Sequence, residues 1–247
     1  MSDDIIYGVN PVMEALRGNR RAFELFLAEG SDRRLDKLVQ LAAEKEVPVR
    51  RRDRTALLRL AGSEHHQGAV LRVEPYPYAE LSDLIDRWKE SGEQGLILLL
   101  DGIQDPHNLG ALIRSAVCAG AHGVIIPQDR ACGVTPTVEK VSAGSVEAVA
   151  VARVANISQA LALLKKEGFW VYGAAGEAGE SLYRQDFRGH VALVIGGEGE
   201  GVRPLVRKHC DVLISIPLKG AINSLNASVA GGIMLFEVVR QRGGASG

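Results

Sequence analysis

Short apolar runs rich in Val, Ile and Leu recur along this chain, separated by spans with helical spacing. That alternation limits the fold more than any other feature. Strands joined by helices run parallel, and parallel strands are covered on both faces. LILLLD, ending at Asp101, is the kind of continuous apolar run that a doubly covered strand needs. GVIIP, EAVAVARV, FWVYGAA, HVALVIGG and DVLISIP read as further strands. LGALIRSAVCAG, ISQALALLKKEG, RPLVRKHC and a final run IMLFEVV read as helices. The expectation over 96–247 is an α/β fold on a mainly parallel sheet.

The first part of the chain predicts a smaller α/β unit over 1–73. Its helices are NPVMEALRG, a span from a Ser31 cap to Lys45, and RTALLRLAG capped by Asp53. Its strands are FELFLAE, VPVRRR and AVLRV. Residues 74–95 change character. Pro75 and Pro77 oppose strand pairing, and a polar helix closed by Gly92 and Gly95 follows, so this segment reads as a linker carrying one short helix.

Composition excludes little. The 247 residues are 46% hydrophobic and 24% charged, as in an ordinary globular protein. Net charge is -1, so any contact with nucleic acid must come from a local basic patch. Arg50, Arg51 and Arg52, with Arg54 and Arg59 nearby, form a basic cluster that suits a solvated face or a phosphate contact. Cys118, Cys132 and Cys210 are far apart and form no CxxC pair, so neither a metal site nor a disulfide framework is expected. The start MSDDIIYGVN lacks the pattern of a secretory leader, and no apolar run approaches the length of a membrane span. A cytoplasmic protein is expected.

Three stretches carry chemistry, each following an expected strand, where open α/β sheets bind their ligands. In DGIQDPHNLGALIRSA, Asn108 is placed to cap a helix and Arg114 sits in an otherwise apolar or small-residue span. An arginine there suits an anion, because its planar fork donates in pairs. In LVIGGEGEGVRPL the glycines let backbone approach a ligand, but the dinucleotide spacing fails because Val202 stands where the third Gly belongs. Glu198 and Glu200 also favour a cation or neutral ligand over a pyrophosphate. The third stretch, SLNASVAGGI, puts Ser224, Asn226 and Ser228 at the start of the last helix. One of them can cap it, and the surplus points to a ligand.

Together these stretches resemble the three motifs of the SpoU (TrmH-like) ribose 2′-O-methyltransferases: Asn108-x-Gly110 to Arg114, Gly196-x-Glu198 to Gly201, and Ile216-Pro217 followed by Ser224-Leu225-Asn226-x-Ser228. YGVNPVMEAL, the HQG at 66–68 and the C-terminal tail resemble the branch that acts on guanosine in 23S rRNA. The resemblance implies a SPOUT-type catalytic domain with a C-terminal trefoil knot, S-adenosylmethionine as cofactor, a homodimer, and a role in ribosome biogenesis. It implies an L30e-like RNA-binding unit at 1–73, with Arg50, Arg51 and Arg52 meeting RNA. Arg114 becomes the catalytic candidate at the 2′-oxygen or an adjacent phosphate, and Glu198 would orient Arg114 or Asn226. Asn108 and Asn226 would hold the substrate. Gly196, Ile216, Leu218 and Leu225 would hold the cofactor, and Ser224 would touch it or cap the helix. Alternatives are a tRNA ribose methyltransferase, a catalytically silent RNA-binding relative, and a dinucleotide oxidoreductase, the last opposed by the glycine spacing.

Overall fold

The structure, a computed structural model, describes residues 3–18, 20–30, 33–220 and 223–243. The chain forms two compact units, one from 1–77 with 134–148 and the other from 78–133 with 149–247. The segment 134–148 lies within the span expected to be catalytic, yet its contacts are with the first unit.

The first unit opens with β1 (Asp4–Tyr7), α1 (Val9–Arg17), β2 (Ala22–Ala28), α2 (Arg33–Glu44), β3 (Val49–Arg52), α3 (Arg54–Ala61) and β4 (Ala69–Val73). The sheet order is β1-β4-β2-β3, with β4 antiparallel to β1 and β2, and β3 parallel to β2. Ile6, Val12, Leu16, Leu25, Leu38 and Leu71 fill the core beneath α1 and α2. Asp53 caps α3 as expected, accepting from Ala56 N at 2.8 Å. The Ser31 cap lies outside the described residues. β1 was not anticipated, because a four-residue DIIY run is too short to show a period; its register against β4 sets it, with Ile6 opposite Leu71.

The chain continues through α4 (Leu81–Ser91), β5 (Leu96–Asp101), α5 (Pro106–Cys118), β6 (Gly123–Pro127), α6 (Pro136–Val141), β7 (Ala150–Val154), α7 (Ile157–Lys166), β8 (Trp170–Ala174), β9 (Glu180–Ser181), β10 (Val191–Gly196), α8 (Pro204–Arg207), β11 (Val212–Ser215) and α9 (Ala227–Gly243). All but α6 belong to the second unit. Its seven strands run in the order β7-β6-β5-β10-β8-β11-β9, every pair parallel. β5 and β10 are buried along their whole length at the centre, which is why LILLLD and VALVIG show no polar alternation. α4 is the helix expected in 74–95, and its Leu84, Ile85 and Trp88 are buried in this unit's core.

Arg20 ties α6 and the residues after it to the first unit. Arg20 Nη1 donates to Glu139 Oε1 at 2.5 Å and Glu147 Oε1 at 3.0 Å, and its Nη2 donates to Asp4 Oδ2 and the Glu74 carbonyl. The side chains of Arg20 and Glu139 are only 2% and 3% exposed. Burial pushes the Glu139 carboxyl up to about 7 against the pull of Arg20, and burial raises Glu147 as well.

Two helix expectations change. Asp105, not Asn108, caps α5, accepting from His107 N at 3.0 Å; Pro106 fills the first helical position, where a missing N–H costs nothing. RPLVRKHC is helical only over Pro204–Arg207. On the last helix, α9, Met234, Leu235 and Val238 are buried, while Val229 and Phe236 stand 49% and 48% exposed.

Candidate active site

The carboxyl ends of β5, β8, β10 and β11 are followed by the loops that build the site. The turn after β10 is glycine for a steric reason. A Cβ on Gly196 would collide with the backbone of Gly201 and Val202, and one on Gly197 with the Gly102 carbonyl. The turn folds back on itself, Gly201 N donating to Gly197 O at 3.1 Å, and is tied to β5 by Gly197 N donating to Asp101 O at 3.0 Å. Buried Asp101 fixes the far side, its carboxylate accepting from Arg203 Nε at 2.7 Å and Arg203 N at 2.8 Å.

This rigid turn presents Glu198 to two asparagines. Asn108 Nδ2 donates to Glu198 Oε1 at 2.5 Å, and Asn226 Nδ2 donates to Asn108 Oδ1 at 3.0 Å and to Glu198 Oε1 at 3.3 Å. Asn226 Oδ1 accepts from Ser228 N at 2.9 Å, Val229 N at 3.3 Å and the Ser228 hydroxyl at 2.6 Å. The Ser228 and Val229 backbone N–H groups can only donate, so they fix the Asn226 amide, which in turn fixes that of Asn108. Asn226 is therefore both the cap of α9 and a member of the cluster. This settles the surplus of polar groups in SLNASVAGGI: Asn226 caps, Ser228 bonds to the cap, and Ser224 is exposed and does not cap.

A cleft of about 770 Å³ opens beside the cluster. That lies in the roughly 300–1,000 Å³ range of small-molecule sites. Its walls include Gly196, Ile216, Leu218, Ser224 and Leu225, all five expected cofactor contacts, together with Ile195, Ile214 and Met234. Glu198 and Glu200 give it an acidic side, and Glu177 and Arg207 form an ion pair that also lines it. Glu177 is held below the usual carboxylate range by its own backbone N–H and by Arg207. Apolar walls with close backbone suit a flat heteroaromatic ring, and carboxylates suit a cationic centre, so the residues fit S-adenosylmethionine.

Arg114 is the expected residue that the single chain does not bring in. It is exposed on α5, lines neither this cleft nor the one beside Asn108, and makes no hydrogen bond or ion pair among the described residues. Within the single chain Glu198 bonds Asn108 and Asn226, and Arg114 is not among its partners. In the first unit, Arg50 pairs with Glu24, Arg51 Nη1 donates to the Ala28 and Gly30 carbonyls, and Arg52 Nη1 reaches only the Arg51 carbonyl. β3 is exposed along its length, so all three remain on a solvent-facing edge. His66 is buried, and its Nδ1 accepts from Gly68 N at 3.0 Å, a turn role.

Sequence reasoning missed Glu177, Arg207, Asp101 and Arg203. Glu177 and Asp101 stand at the carboxyl ends of β8 and β5, and applying the strand-end rule to every strand would have found them.

Fold and cleft together define an α/β protein with a small-molecule-sized cleft at the carboxyl ends of a parallel sheet. Comparison with known proteins gives the family. Residues 95–236 match the SpoU rRNA Methylase family, and residues 5–79 match the segment described as RNA 2′-O ribose methyltransferase substrate binding. The chain is 44% identical over 244 residues to the 23S rRNA (guanosine-2′-O-)-methyltransferase RlmB of Escherichia coli, covering 97% of this chain and 99% of that protein. It is also 44% identical over 242 residues to an uncharacterized tRNA/rRNA methyltransferase of Synechocystis, covering 97% of this chain but spanning only 63% of that longer relative. Among solved structures, the SpoU methyltransferase AviRb from Streptomyces viridochromogenes, in complex with AdoMet, superposes with a TM-score of 0.84 at 25% identity, over 98% of this chain and 92% of that one. The chain belongs to the SpoU rRNA methylase family.

Proposed function

We propose that this protein transfers a methyl group from S-adenosylmethionine to the ribose 2′-hydroxyl of a guanosine in 23S rRNA. The observation that carries the reading is the Asn108–Glu198–Asn226 cluster, whose Glu198 and Asn226 line a cleft built from the glycine turn and the 216–226 loop. The substrate named for the 44% identical Escherichia coli relative supports 23S rRNA over tRNA.

Gly196, Ile216, Leu218, Ser224 and Leu225 would hold the cofactor. Bound there, it supplies a methyl carbon already activated by a sulfonium. The chain then has to align the acceptor and manage one proton, and alignment alone can contribute up to roughly 7–11 kcal/mol. Asn108 and Asn226, locked by Glu198, present fixed amides to the ribose. Arg114 donates to the developing alkoxide. A guanidinium, with pKa above about 12, is a poor base, so phosphate or water takes the proton.

The working unit is a homodimer. The support is that the exposed Val229 and Phe236 lie seven residues, about two turns, apart on one face of α9. α5 packs beside α9, so a second copy seated there brings Arg114 of one protomer to the cleft of the other. The C-terminal part of the second unit forms the trefoil knot, a reading supported by the path of the chain. β10 lies between β5 and β8, β11 lies beyond β8, and α9 returns past them to α5. The first unit, with Arg50, Arg51 and Arg52 on its β3 edge, meets RNA phosphates. The protein acts in the cytoplasm, in ribosome biogenesis; among the described residues no helix is long and apolar enough to cross a membrane.

Mapping of 2′-O-methyl sites in 23S rRNA from a deletion strain tests the reading. One guanosine should lose its methyl group and regain it with the wild-type gene but not with Arg114→Ala. An unchanged rRNA map with a lost tRNA methylation would move the substrate to tRNA.

A further inference from the structure

The cofactor cleft has a neighbour. A second cleft of about 540 Å³ adjoins the glycine turn and shares Gly197, Glu198, Glu200 and Gly201 with the first. Asn108 lines it, so it is where an acceptor ribose has to sit to meet the asparagine cluster. The cleft is poorly suited to RNA on charge alone. Asp101, Asp105, Glu198 and Glu200 line it against two cations, Arg130 and Arg203. Arg203 is committed to Asp101 through its Nε, its Nη2 and its backbone N–H. Arg130 makes no hydrogen bond or ion pair among the described residues.

The backbone holds Arg130 in place at some cost. It adopts φ 58°, the left-handed region that side chains other than Gly seldom occupy. The loop is pinned on both sides, Gln128 N donating to Val154 O at 2.8 Å and Cys132 N donating to Ile103 O at 2.8 Å. Arg153 Nη2 adds a bond to the Gln128 carbonyl at 2.8 Å. A strained residue kept between two anchors, with its charge uncommitted, is the pattern of a functional position.

We propose that Arg130 binds a phosphate of the RNA strand next to the target ribose, holding that ribose against Asn108 and offsetting the acidic lining of the cleft. The inference rests on the RNA methyltransferase reading and adds to it a substrate contact outside the three motifs. A guanidinium suits the task because it can donate two parallel hydrogen bonds to a phosphate, where an ammonium is a point charge.

The test uses the full-length protein, 23S rRNA purified from the deletion strain, and the variants Arg130→Gly and Arg130→Lys. Gly accepts the left-handed conformation, so Arg130→Gly should fold with an unchanged or higher Tm and bind S-adenosylmethionine within about twofold of wild type. Its kcat/KM for RNA should fall on the order of tenfold, and log kcat/KM against log salt should be shallower by about one unit, the signature of one lost phosphate contact. Arg130→Lys should keep the wild-type salt slope and recover only part of kcat/KM. An Arg130→Gly protein with the wild-type slope and kcat/KM overturns the proposal, as does a loss confined to kcat with the slope unchanged. A wild-type protein that methylates no RNA would refute the activity instead. RNA binding by the same pair, followed against salt, would then decide on Arg130, an unchanged slope counting against it.

Discussion

Replacing Glu139 with Gln should flatten the dependence of stability on pH. In the folded first unit, burial pushes this carboxyl from an ordinary 4.5 up to about 7, although Arg20 and its hydrogen bond pull the other way, while Glu147 and Asp4 add like charge. Among the described residues Glu139 Oε2 has no hydrogen-bond partner, and neither has Arg20 Nε. Below about pH 4.5 the carboxyl is protonated in both states, and its contribution to stability is fully present. As pH rises toward 7 the unfolded chain ionises first, so that contribution is progressively lost, and above about 7 the loss levels off. A difference of about 2.5 pKa units, at about 1.4 kcal/mol each, gives a loss of about 3 kcal/mol. Glu147, also raised by burial, contributes in the same direction. Gln keeps an acceptor for Arg20 and cannot ionise. The stability difference between variant and wild type should therefore move by about 3 kcal/mol between pH 4.5 and 8, in favour of the variant at high pH, whatever constant offset the lost charge introduces. Urea unfolding at several pH values measures this. Far-UV circular dichroism is the suitable probe, because Trp88 and Trp170 both lie in the second unit. A difference that stays constant within about 1 kcal/mol over that range would refute the argument that Glu139 is ionised only against its burial.

Asn226→Ala removes the cap of α9 and the partner of Asn108, so it should cost about 1 kcal/mol in a denaturation experiment and lower methyl transfer far more than S-adenosylmethionine affinity. Gly196→Ala forces a Cβ into the Gly201–Val202 backbone, and calorimetry should show cofactor binding lost or weakened at least tenfold. Arg242 donates to four backbone carbonyls, those of Phe187, Gln94, Gly95 and Gly189, and fastens the end of α9; Arg242→Ala should destabilise the second unit by about 1–3 kcal/mol, read as a lower Tm.

The parallel sheet of the second unit was legible because its central strands are buried on both faces, and LILLLD and VALVIG carry that fact in their composition. The cap of α3 was legible because Asp53 acts on an N–H three residues away. The cap of α5 lies three residues before Asn108, because Asp105 followed by Pro106 is the stronger start signal. DIIY gave no warning of β1, whose pairing is with a strand more than sixty residues away.

Local sequence determines what nearby residues can arrange among themselves: the periods of helices and strands, the caps, and the glycines that a tight turn requires. It also determined the cast of the site, since Asn108, Glu198 and Asn226 stand in recognisable surroundings. Only the tertiary structure decided that these three meet, with Glu198 bonded to both asparagines while Arg114 faces outward on α5. The same holds for Arg20, which draws Glu139 and Glu147 from beyond position 133 into the first unit. The reason is that hydrogen bonds and ion pairs act over a few ångströms, and only the folded path brings residues about a hundred positions apart within that reach.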